Sequence, residues 1–116
     1  MNNLADRRER YLQDPIPVRL GGLAANLARV KSFSKNIANQ EAVFSLFEES
    51  KHFIEWTAND TEIETTVELV ELQLQIAVWQ RHLQKIWNDD ESRNEIANAS
   101  AYWSKKVLEK SGLLNK

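Results

Sequence analysis

Residues 62–87 read EIETTVELVELQLQIAVWQRHLQKIW. No glycine or proline interrupts them, and strong helix formers dominate. Leu69, Leu72, Ile76, Trp79, Leu83 and Ile86 recur at steps of three and four, which keeps them on one helical face. Ile63, Val67, Val70, Leu74, Ala77 and Val78 form a second stripe, its centre roughly 170° from the first at 3.6 residues per turn. Narrow polar strips separate the two. Glu62, Gln73, Gln80 and Gln84 lie on one side, and Glu64, Glu68, Glu71, Gln75 and His82 on the other. A surface helix of a monomer carries one apolar stripe. A helix with two is central in its own domain or covered by another chain, so the reading requires both flanks to be kept from water.

The rest of the chain divides into three further long helices. Asp14 is placed to cap a helix running from Pro15–Pro17 to about Lys35, where a proline in the first turn costs nothing. Its apolar face is Ile16, Leu20, Leu23, Leu27 and Val30, with Ile37 beyond. Asn39 is a good N-cap for a second helix ending near Ala58, with Val43, Leu46, Phe47, Phe53 and Ile54 inward. ANDTE then breaks the chain, and Asp60 or Thr61 is expected to cap the helix of residues 62–87. NDDE at 88–91 opens the last helix with acids against its N-terminal dipole. Ile96, Ala99, Trp103 and Val107 face inward there, and Gly112 suits the left-handed position after Ser111, with Leu113 and Leu114 folding back. Residues 1–13 form a separate arm or, over 3–13, a short extra helix. Short loops favour antiparallel neighbours. The expected fold is all-α: one domain over 1–116, an antiparallel up-down four-helix bundle.

Composition limits the chemistry. The 116 residues suit one compact domain. Cysteine is absent, which excludes disulfides, thiolate metal sites and thiol catalysis. Met1 leads into polar NNLADRRERYLQ without the apolar run of a secretory signal. No stretch approaches the roughly 18 apolar residues of a membrane span. The expectation is a soluble cytoplasmic protein with no membrane partner. Charge is uneven: residues 1–35 carry seven Lys/Arg against three acids, and residues 36–71 nine acids against Lys51 alone.

Two carboxylate arrangements invite a metal reading. Glu49 and His52 make Glu-x-x-His, the spacing of di-iron bundles, which need it on two helices with a glutamate from each of two others. Here it occurs once. With Phe47 as the inward reference, His52 falls about 140° and Glu49 about 160° away. The helix from Val18 to Lys35 has no carboxylate. The second arrangement is Glu64, Glu68 and Glu71, whose hard oxygens suit magnesium. Glu68-x-x-Glu71 resembles the acidic helical motifs of all-helical nucleotide pyrophosphatases. It has no matching acidic pair on another helix, since Asp89, Asp90 and Glu91 lie in a loop. A metal-dependent hydrolase stands as the alternative function on these residues, and no cofactor is expected. Phosphate-cradling glycine loops and the Arg-x4–6-His signature of small helical ribonucleases are missing.

Nucleic-acid binding rests on Arg7, Arg8, Arg10, Arg19, Arg29, Lys31 and Lys35. The low isoelectric point of about 5.7 and the acidic second quarter oppose it. It stands as a second alternative.

Interface signals are stronger. Gly21, Ala25, Ala28 and Ser32 make a row of small residues beside the leucine face. Two glycines inside a helix cost roughly 1 kcal/mol each relative to alanine. Such positions let another backbone come close, whether that of 1–13, a bundle helix or a second subunit. Trp79 and Trp103 sit on core faces. Trp56 shares the outward face of His52 and serves either as an interface anchor or as a cap over the bundle end.

RYLQDPIPVRLGGLAANLARV (10–30) and FIEWT (53–57) resemble a small all-helical family of uncharacterised cyanobacterial proteins. The resemblance implies a soluble cytoplasmic helical protein and brings no activity with it. The leading reading is a non-enzymatic interaction module, a homodimer or a binder of a helical partner. Its candidate interface residues are Val67, Val70, Leu74, Val78, Gly21, Ala25 and Trp56.

Overall fold

The computed structural model describes residues 3–113. Among these residues there are five α-helices and no strand: α1 (Asn3–Leu12), α2 (Ile16–Phe33), α3 (Gln40–Thr57), α4 (Ile63–Ile86) and α5 (Asp90–Ser111). Two short 3₁₀ turns, Ile37–Asn39 and Ala58–Asp60, precede α3 and α4. None of the helices is long and apolar enough to cross a membrane.

Helix α2 packs against both α3 and α5, α3 also meets α4, and α1 lies on α3. The core is the sum of the inward stripes. Leu20, Leu23, Leu27 and Val30 meet Val43, Phe47 and Ile54, then Leu69, Leu72, Ile76 and Leu83, then Ile96 and Val107. Trp79 lies against Phe47 with ring centroids 5.4 Å apart. Truncating a fully buried side chain such as Phe47 costs about 3–5 kcal/mol, because the cavity closes only in part.

Helix α2 meets α5 at short range. Ser104 Oγ donates to the Ala24 carbonyl at 2.7 Å, which requires a backbone within reach of a two-atom side chain. Ala24, Ala97 and Ser100 are buried small residues on these two helices.

Several helix boundaries are set differently from the local expectation. Pro15, not Asp14, occupies the N-cap of α2, and no side chain caps it. The Asp14 carbonyl instead accepts from Arg19 Nε at 2.8 Å. At α4 the N-cap is Glu62, again without a side-chain cap. Thr61 Oγ1 and Thr66 Oγ1 both donate to the Ala58 carbonyl, at 2.7 and 2.8 Å, and so fold the corner. Asp60 is drawn away to Arg19 at 3.0 Å. Asn39 precedes α3 without a side-chain cap, and Asn36 caps the preceding turn through Ala38 N at 2.9 Å. Ile37 falls past the end of α2 and is 51% exposed. Its carbonyl accepts from Trp87 Nε1 at 2.6 Å.

The start and stop of α5 follow their residues. Asp89 accepts from Ser92 N at 3.0 Å, and Gly112 takes φ 78°, a left-handed conformation open to glycine without penalty. Leu113 folds back onto Gly21, while Leu114 lies outside the described residues.

Candidate functional site

Helix α4 presents opposite faces to opposite surroundings. Leu69, Leu72, Ile76 and Leu83 are buried. On the far side Ile63 is 81% exposed, Val67 53%, Val70 43%, Leu74 64% and Val78 53%. Ala77 and Arg81 continue the row toward the C-terminus and are exposed too. The second stripe is therefore not central in its own fold, and the described residues leave it bare. Isolated exposed aliphatics are ordinary, but five in register on one helix make a continuous strip.

Its flanks are polar. Toward α5, Glu64 and Glu71 are exposed, while Glu68 lies between Lys106 at 3.6 Å and Lys110 at 3.7 Å. Lys106 Nζ stands 5.6 Å from the Tyr102 ring centre and 5.2 Å from that of Trp103. Its hydrogen bond with Tyr102, then the charge of Glu68, raises the Lys106 pKa. Toward α3, Gln80 Nε2 donates to Glu48 Oε1 at 2.9 Å. That bond, with Lys51 and His52 nearby, holds the Glu48 carboxyl below the usual carboxylate range. Phe44, 46% exposed, lies on this side, and its carbonyl accepts from Gln80 Nε2 at 3.4 Å.

The acidic candidates are not gathered for a cation. Glu68 faces two ammonium groups, which would repel a divalent ion, and Glu64 and Glu71 point to solvent. No group of three or more His, Cys, Asp or Glu converges as a metal site among the described residues.

Glu49 and His52 lie outside the core and are half-buried. Arg7 pairs with Glu49, which also accepts from Asn26 Nδ2 at 3.0 Å. His52 lies on Trp56, ring centroids 5.4 Å apart, and contacts Glu48 at 3.5 Å. Trp56 is only 9% exposed, with Tyr11 tilted against it at 5.8 Å. It is held under α1 and is unavailable as a free anchor.

Gly21 is half-buried, and a Cβ there would stand 2.9 Å from Leu113 Cδ1, so the chain's own C-terminal segment covers it. Ala25 is exposed. The arginines of the N-terminal third are dispersed. Arg7 is committed to Glu49, and Arg19 to Asp60 and to the carbonyls of Asp14 and Leu12. Arg8 and Arg10 are exposed on α1.

Two features had weak signals in the sequence. Tyr11, within a polar segment, stacks on Phe53 and donates to the Arg19 carbonyl at 2.9 Å. Burial pushes its phenol up to about 12. Arg93 is buried beside Trp87, donating to its carbonyl at 2.6 Å. The signal for the first was one aromatic among charges, and for the second an arginine one turn into a helix.

Comparison with protein-family models, with curated proteins and with solved structures finds no match for this chain.

Proposed function

We propose that this chain is a non-enzymatic interaction module that self-associates through the outward strip of α4. In this reading α2 to α5 form an antiparallel up-down bundle, and the strip is the surface left over when that bundle closes. The observation that carries the reading is the exposure of Ile63, Val67, Val70, Leu74 and Val78 on the helix whose opposite face builds the core. Removing such surface from water yields roughly 25 cal/mol per Å². A second copy is the favoured occupant because symmetric twofold pairs are the commonest oligomers.

The roles of the other candidates are narrower. Gly21 and Trp56 serve packing within the chain, and Ala25 lies outside the strip. A hydrolase acting through Glu64, Glu68 and Glu71 draws no support from a carboxylate already facing two lysines.

Light scattering coupled to size exclusion tests the proposal. A dimer is expected at tens of micromolar for the natural chain. Leu74→Glu, at a position 64% exposed, is expected to give a folded monomer. A natural chain that stays monomeric at hundreds of micromolar overturns the proposal.

A further inference from the structure

Resting on that reading, we infer how the two copies meet: α4 lies antiparallel to α4 of the second copy, with Arg81 of each chain beside Glu62 and Glu64 of the other. Charge is divided between the two ends of α4. Residues 62–71 contain Glu62, Glu64, Glu68 and Glu71 and no base, whereas residues 81–85 contain Arg81, His82 and Lys85 and no acid. Glu62, Glu64, Glu71, Arg81, His82 and Lys85 are all exposed. A parallel pair would set acid on acid at one end and base on base at the other. An antiparallel pair sets opposite charges together at both ends, and it also opposes the helix dipoles.

Apolar spacing supplies the register. Ile63, Val67, Val70, Leu74, Ala77 and Arg81 alternate at steps of four and three, the spacing of a coiled-coil seam. Two antiparallel seams match when Val70 faces Leu74 of the second copy and Val67 faces its Ala77. Ile63 then lies against the aliphatic stem of its Arg81, whose guanidinium reaches Glu62 and Glu64. Sliding one seam by seven residues would bring Ile63 against Leu74, an apolar match. It would also set Glu64 against Glu71 of the second copy twice and carry Arg81 past the acids of the second copy's α4. Charge therefore selects the first register. That register has one like-charge encounter, Glu71 with its own copy across the twofold axis.

The absence of cysteine makes a direct test possible, because any thiol introduced is the sole one. Gln73→Cys places its two thiols beside the twofold axis, and a short bismaleimide is expected to link them. Ile63→Cys places its thiols eighteen residues apart along the helix axis, about 27 Å at 1.5 Å per residue. It is expected to resist the same reagent alone and to link when mixed with Arg81→Cys. Arg81→Glu is expected to weaken the dimer about tenfold. The double change Glu62→Arg and Glu64→Arg is expected to do the same, and combining all three to restore it.

A dimer in which Ile63→Cys links to itself overturns the antiparallel arrangement, as does a dimer indifferent to charge at position 81. Either result leaves self-association standing. A natural chain that is monomeric at hundreds of micromolar removes both readings and assigns the strip to a different partner.

Discussion

Tyr11 lies flat on Phe53, with ring centroids 4.1 Å apart and planes within 8° of parallel. This contact binds a helix without buried residues, α1, to the body of the protein. The phenol also donates to the Arg19 carbonyl and accepts from Thr57 Oγ1 at 3.3 Å. Tyr11→Ala is expected to release α1 and expose Trp56. The cost is about 2–4 kcal/mol in urea unfolding, with a red shift of tryptophan emission in the folded state. Tyr11→Phe keeps the stack and is expected to cost about 1 kcal/mol.

The same tyrosine gives a pH dependence with a fixed sign. Burial raises its pKa from 10.0 in the unfolded chain to about 12 in the fold, so folding favours the protonated phenol. The stability tied to this group is whole below pH 10 and is lost as pH climbs through about 12. Urea midpoints across that window are expected to fall less steeply for Tyr11→Phe than for the natural chain. Parallel declines would dismiss Tyr11 as the source.

Two adjacent glycines should respond unequally. A Cβ on Gly22 meets only Phe53 Cε2 at 3.9 Å, ordinary contact, so Gly22→Ala is expected to stabilise by about 0.5–1 kcal/mol. A Cβ on Gly21 stands 2.9 Å from Leu113 Cδ1. That methyl is the end of a flexible side chain and can move, so Gly21→Ala is expected to gain less or break even. Thermal midpoints of the two variants, compared directly, decide this.

Trp87 is nearly fully buried and donates its indole N–H to the Ile37 carbonyl at 2.6 Å. Arg93 stands 5.8 Å from the ring centre. Trp87→Phe removes the donor and leaves the carbonyl to find water, with an expected loss of about 1–3 kcal/mol. The turn before α3 should then exchange its amide hydrogens faster. A variant as stable as the natural chain would show that the bond carries nothing.

Glu71 offers a prediction of opposite sign to the other seam changes. Across the proposed twofold axis it meets its own copy, so Glu71→Gln is expected to tighten the dimer, while Arg81→Glu loosens it. Sedimentation equilibrium measures both. A weaker dimer for Glu71→Gln would displace the axis from this residue.

The parts of the fold legible in the sequence are those specified by neighbours three or four residues apart. The two stripes of α4, the leucine face of α2 and the Gly112 stop all belong here. What was illegible depends on residues far apart in the chain. Arg7 and Glu49, or Tyr11 and Phe53, are about forty positions apart, and no local pattern announces that α1 will cover Trp56. The cap expected at the start of α4 is missing for a related reason. Asp60 is a competent cap in isolation, but Arg19 takes its carboxylate, and two threonines fold the corner instead. At the candidate site the residues of the α4 strip were readable, while the fates of Gly21 and Trp56 required the positions of Leu113 and α1.

Arg19 grips three places at once: the carbonyls of Leu12 and Asp14, and the carboxylate of Asp60. The hinge between the first two helices and the bend between the third and fourth are thereby fastened to one guanidinium. One substitution at Arg19 therefore removes a tie from both places at once.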